Sequence, residues 1–142
     1  MKTLRSVLES KGGEIYSVGP TASVFDALEE MSKRDVGALI VLDGGEVVGI
    51  FSERDYARKI ILVGKSSRET PVSEIMTSRV VFARPDLTLE ECLALMTDKH
   101  VRHLPVMENE AVVGVLSIGD LVKAVIAEQQ FTIQQLERYI NG

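Results

Sequence analysis

Very little in this 142-residue chain invites chemistry: it has one cysteine and two histidines. The lone Cys92 excludes an intrachain disulfide and suits a reducing compartment. Its equivalent in the internal repeat described below is Ala27, so Cys92 reads as a small core residue rather than a nucleophile. Neither His-x-x-x-His nor Cys-x-x-Cys occurs, and His100 and His103 would share a face only on a helix, whereas the pattern there turns into a strand. A metal cluster, or a nucleophile with its base, has no support. No run of Lys or Arg breaks a net charge of −5 and a pI of about 5.1, which excludes the electrostatic footprint of a nucleic-acid binder. Apolar runs such as Ala38 to Leu42 are far too short to cross a bilayer, and Met1 to Gly13, with Lys2, Arg5 and Glu9, lacks the apolar stretch of a signal peptide. The expectation is a soluble, cytoplasmic protein that is not an enzyme and has no nucleic-acid or membrane partner.

What the chain does have is itself, twice. At a constant offset of 65 residues Pro20 falls on Pro85, Leu28 on Leu93, Met31 on Met96, Val36 on Val101, Leu39 on Leu104, Gly49 on Gly114, Ser52 on Ser117 and Asp55 on Asp120, with no gap. A repeat of this kind implies a unit of about half the chain that cannot bury its apolar face alone. Any site is then made twice, near the seam between copies.

Each copy reads β-α-β-β-α. A short apolar strand comes first, Glu14 to Val18 and Val80 to Ala83. Ser23 and Thr88 precede Asp26 and Glu91 by three residues, the spacing of a capping box, and Val24, Ala27, Leu28 and Met31 then recur at helical spacing, as do Leu89, Cys92, Leu93 and Met96. Ala38 to Leu42 and Leu104 to Met107 read as strands covered on both faces. Asp43-Gly44-Gly45 and Glu108-Asn109-Glu110 turn the chain into second strands, Glu46 to Phe51 and Ala111 to Leu116, and second helices begin near Glu53 and Ile118. The polar stretch from Gly64 to Pro71 reads as a linker, with helical punctuation resuming at Val72 to Met76. Beyond the repeat, Phe131, Ile133, Leu136, Tyr139 and Ile140 are spaced for an amphipathic helix that covers either the fold's own core or a partner.

The sequences Gly49-Ile50-Phe51-Ser52-Glu53-Arg54-Asp55 and Gly114-Val115-Leu116-Ser117-Ile118-Gly119-Asp120 each stand where a strand hands over to a helix. Ser-x-x-Asp is itself a capping box, with the acid complementing the helix dipole. A free helix N-terminus is equally an anion site, and a carboxylate held there can accept two hydrogen bonds from a ribose diol. Both readings stand at this level. The copies differ in their basic residues: Arg102 and His103 replace Gly37 and Ala38, while Arg54 replaces Gly119, so each copy carries its own positive charge suited to a phosphate.

The order of these features, with Ile50 to Tyr56, Val101 to Val106 and Ser117 to Leu121, resembles a tandem CBS-domain pair, or Bateman module, of the stand-alone bacterial type. The resemblance spans roughly residues 12 to 127. It implies an α/β (α+β) fold: two β-α-β-β-α CBS repeats, 12–63 and 73–127, packed as a pseudo-two-fold pair around a linker, 64–72, plus a C-terminal helix, 128–142. It further implies a regulatory or energy-sensing module that binds AMP, ADP, ATP, NAD or S-adenosylmethionine in clefts between the copies, forms a homodimer, and regulates a separate enzyme or transporter. The first site would comprise Ile15, Tyr16, Val36 and Ile50 around adenine, Ser17 and Ser52 as hydroxyls, Ala38 beside them, Arg54 for phosphate and Asp55 for ribose. The second would comprise Val80, Val81, Val101 and Val115 around adenine, Arg102, His103, Leu104 and Pro105 on the strand edge, and Ser117, Ile118 and Asp120 at the corner. Phe82, where the first copy has Ser17, offers no hydroxyl. The competing function is a structural dimerisation or docking module with vestigial clefts.

Overall fold

Helix starts and stops follow the local sequence. The computed structural model describes residues 2–141. Helix α1 (Leu4–Lys11) precedes strand β1 (Ser17–Val18), helix α2 (Val24–Arg34), strands β2 (Ala38–Asp43) and β3 (Glu46–Ser52), and helix α3 (Glu53–Tyr56), which runs on as a π-helical turn, Ala57–Ile61. Then come α4 (Val72–Ile75), α5 (Leu89–Lys99), β4 (His103–Glu108), β5 (Ala111–Ser117) and α6 (Ile118–Asn141). The Ser23 hydroxyl accepts from the Asp26 N–H at α2, and Thr88 and Glu91 form a reciprocal capping box at α5. Both helices close on a left-handed residue at equivalent positions, Asp35 and His100, each with φ 55°. His100 therefore caps a helix while His103 opens a strand, so the two do not share a helical face.

The chain divides into two compact units. The contiguous unit is Ile15–Val80; the split unit joins Met1–Glu14 to Val81–Gly142. In the contiguous unit β1 pairs parallel with β2, and β2 antiparallel with β3. In the split unit β4 pairs antiparallel with β5 in the same register 65 residues on, including a shift at Val106/Met107 that matches the one at Val41/Leu42. Core residues match too: Val24, Ala27, Met31, Leu39, Val41 and Phe51 in one unit stand where Leu89, Cys92, Met96, Leu104, Val106 and Leu116 stand in the other.

Neither core is complete without a segment that the 65-residue offset does not contain. Val72 and Ile75 fill the contiguous core, and Leu4 and Val7 fill the split one. The attachments are homologous: Val72 N–H reaches Ala22 O and Ser73 N–H reaches Pro20 O, just as Leu4 N–H reaches Leu87 O and Arg5 N–H reaches Pro85 O. The glycines of the repeated motif face these same segments. A methyl group on Gly49 would overlap the Met76 sulfur, and one on Gly114 would overlap the Leu8 side chain, so both glycines exist for close approach.

Three expectations are modified. The strand expected over Glu14 to Val18 is confined to Ser17–Val18, and that over Val80 to Ala83 is a single parallel bridge from Ala83 to Val106. The reason is Pro105: its counterpart Ile40 donates an N–H to Tyr16 O, and proline has none to give. The linker is built into the contiguous unit, because Thr70 O and Ser67 O accept from Val24 and Phe25 N–H at the first turn of α2, and Arg68 lies over the Phe25 ring. Finally, the expected C-terminal extension is continuous with the second helix of its repeat in one 24-residue α6; Gly142 lies outside the described residues.

Candidate functional site

Each Gly-x-x-Ser-x-x-Asp corner folds as its sequence requires, with the strand ending at the serine and the acid turned back over the helix start. In the contiguous unit the Ser52 hydroxyl accepts from Asp55 N–H at 3.2 Å, and Ser52 N–H donates to Asp55 Oδ2 at 3.0 Å. Asp55 is 7% exposed. Its Oδ2 also accepts from the Ser52 hydroxyl, and its Oδ1 accepts from the Thr77 hydroxyl and pairs with Lys59, each at 3.1 Å. Two carboxylate oxygens offer about four acceptor directions, and here three hydrogen bonds and one ion pair surround them. Thr77 and Lys59 were not among the expected site residues; Lys59, one helical turn beyond Asp55, was the readable partner.

At the other corner the same box forms, Ser117 N–H to Asp120 Oδ2 at 2.8 Å and Asp120 N–H to the Ser117 hydroxyl at 3.1 Å. The additional partner differs. Lys11, from α1, donates to Asp120 Oδ2 at 2.6 Å and to Val115 O at 2.7 Å. Among the described residues no donor reaches Asp120 Oδ1. Burial works against the Asp120 charge, but the Lys11 ammonium and the Ser117 N–H outweigh it and hold the carboxyl below its ordinary range. Asp120 opens on a cleft of about 360 Å³ between α1 and α6, where Lys2, Lys11 and Lys123 gather with Ser6 and Ser10. Three lysines around one cleft make a cationic pocket in an acidic chain. Sequence reading missed Lys2 and Lys11 because the N-terminal segment is distant in sequence from the corner it completes, and it missed Lys123 although that residue lies three positions after Asp120 on the same helix.

The other expected residues sit as follows. In the contiguous unit Ser17 and Ala38 lie on β1 and β2, with Ala38 paired to Ser52 and Ile50 to Ile40. Tyr16 and Val36 pack on the core, and the Arg34 guanidinium lies 5.1 Å from the Tyr16 ring centre. Ile15 is half-buried and Arg54 is exposed on α3. In the split unit His103 pairs with Ser117 and Pro105 with Val115, while Leu104 is fully buried. Val81 and Val101 pack on the core, and Arg102 is exposed with its carbonyl accepting Ile118 N–H. Val80 belongs to the contiguous unit, whose boundary falls directly after it. Burial pushes His103 below the usual histidine range; Lys11 and Arg102 add to this and Asp120 opposes it. Cys92 is buried and its thiol is pushed up to about 11, which leaves it inert as a nucleophile.

A family model for the CBS domain matches residues 10–62 and 72–127. The chain belongs to the CBS-domain family. The CBS domain-containing protein CBSX3, mitochondrial, of Arabidopsis thaliana is 39% identical to it, covering 99% of this chain and 72% of that protein. The CBS domain-containing protein YhcV of Bacillus subtilis is 30% identical, covering 83% and 84% respectively. A solved structure of a putative signal-transduction protein with CBS domains from Burkholderia ambifaria superposes with a TM-score of 0.87 at 47% identity, over 93% of this chain and 99% of that one. The tandem CBS arrangement makes this a regulatory module by class, and CBS domains generally bind adenosine-containing ligands. No helix among the described residues is long and apolar enough to cross a membrane.

Proposed function

We propose that this CBS pair is a sensor that binds AMP, ADP, ATP or NAD, with S-adenosylmethionine in the same chemical class, and that it transmits occupancy to a separate enzyme or transporter without catalysing a reaction. The Asp120 corner carries the reading. A carboxylate with one oxygen uncommitted sits at the N-terminus of a long helix, where it can accept from a ribose hydroxyl. Beside it Lys2, Lys11 and Lys123 supply charge for phosphate, and Arg102 and His103 add to it along the strand edge. The Asp55 corner supports the alternative at its own position, because its carboxylate is already filled and acts as a helix cap. Residence in the cytoplasm and a homodimer complete the proposal.

The test is calorimetric titration and thermal shift with AMP, ADP, ATP, NAD and S-adenosylmethionine, alongside mass spectrometry of small molecules released from purified protein. Binding should raise stability by about 2.7 kcal/mol at a hundredfold excess over Kd. Ligand-free protein with a flat response at millimolar concentrations of all five overturns the reading.

A further inference from the structure

Helix α6 runs 24 residues, about 36 Å at 1.5 Å per residue, and its core-facing residues stop early. Leu121 is fully buried, and Ala124 and Val125 pack on the split core. Every described residue from 129 to 141 is exposed. Yet this helix is not polar on its exposed side. Val122, Ile126, Ile133, Leu136 and Ile140 are 45%, 49%, 54%, 57% and 78% exposed, and they recur every three or four residues. In heptad terms Ile126, Ile133 and Ile140 hold one core position, and Val122, Gln129 and Leu136 the other. The five apolar side chains make a continuous stripe along the exposed length of α6, with Phe131 on the opposite face of the helix.

Its chemistry narrows the occupant. A helix that lies on a membrane carries Lys and Arg along its polar face, whereas from 128 onward α6 has Glu128, Glu137 and a single Arg138 among glutamines. The seam is instead complementary to itself. With two copies antiparallel about Phe131, Ile126 meets Leu136 of the partner subunit, Ile140 meets the partner's Val122, and Lys123 flanks the partner's Glu137 at both ends of the seam. A parallel pair brings no opposite charges together. The two-fold operation uses the same patch on both chains, as a closed dimer requires.

We propose that α6 pairs antiparallel with α6 of a second copy of this chain, through the seam of Val122, Ile126, Ile133, Leu136 and Ile140. This gives the homodimer its surface, and it stands independently of the ligand reading.

The test uses the whole chain without nucleotide, read by analytical ultracentrifugation, so the outcome does not depend on whether the clefts bind anything. Wild type should be a dimer at micromolar concentration, and Ile133→Glu and Leu136→Glu should each weaken it at least a hundredfold. Lys123→Glu and Glu137→Lys should each weaken it about tenfold, while the double exchange restores it; this rescue guards against a variant that merely misfolds. On a Cys92→Ala background, Thr132→Cys should form an intersubunit disulfide and Ile140→Cys should not. Monomeric wild type, a dimer indifferent to the seam variants, or cross-linking through Ile140→Cys alone overturns the proposal.

Discussion

Asp55 accepts three hydrogen bonds and pairs with Lys59, whereas Asp120 accepts from Ser117 N–H and Lys11, although the two occupy the same place in the repeat. Asp55→Asn puts an amide N–H₂ where an acceptor is needed by a buried cluster, so it should cost about 1–3 kcal/mol of stability. Asp120→Asn disturbs fewer bonds at a more exposed side chain, and should instead lose about 1.5–3 kcal/mol of nucleotide affinity, the range for a hydrogen bond to a charged group. Urea melts and calorimetry on the pair check this; equal losses of affinity in both would show that the Asp55 cluster opens for ligand. The aspartates were readable from the motif, but their difference was not, since Thr77 and Lys11 lie 22 and 109 residues away. His103 gives a pH-dependent outcome. Burial, with Lys11 and Arg102, lowers its folded pKa, so below about 6.5 the unfolded chain binds more protons and stability is lost as the pH is lowered. Above that value both states are neutral at this residue and the effect vanishes. In thermal melts from pH 7 to pH 5, His103→Gln should flatten this slope; an unchanged slope would assign it to other groups.

At the scale of elements, most of the β-α-β-β-α pattern was legible because caps, turns and apolar spacing are local. The exceptions have local causes as well. Pro105 removes the N–H that would have lengthened the first strand of the second copy. The two hairpins make the same turn with different residues. Gly44 and Gly45 take φ 59° and 87°, and Asn109 and Glu110 take φ 52° and 64° in their place. Both central residues at positive φ fit the tight hairpin turn that suits strand twist. Glu110 has a Cβ in that region, at a cost of about 1–2 kcal/mol, part of which glycine returns as unfolded-state entropy. Glu110→Gly should therefore raise stability by roughly 0.5–1 kcal/mol. Chemical denaturation would show it as a higher midpoint at an unchanged slope, and a lower midpoint would mean that the turn is not strained.

For the whole molecule, the wiring of the two units was the least legible feature. The segment with Leu4, Val7 and Leu8 has the same spacing as Val72, Ile75 and Met76, but at an offset of 68 rather than 65, so the repeat alignment passes over it. Each segment precedes one copy in sequence and completes the core of the other, so the split unit is closed by residues about 100 positions from its strands. Local periodicity cannot report a partner that distant. Leu4 and Val72 are both fully buried, so truncation removes buried area and leaves a cavity. Leu4→Ala should cost about 2–5 kcal/mol and Val72→Ala somewhat less, for the smaller volume lost. The losses should fall in different places. Native-state hydrogen exchange in Leu4→Ala should lose protection first in α5, β4 and β5 while β2 and β3 keep theirs, and Val72→Ala should do the reverse. If Leu4→Ala instead loosens β2 and β3 first, the N-terminal helix does not complete the second copy, and the Lys11 to Asp120 contact on which the ligand reading depends goes with it.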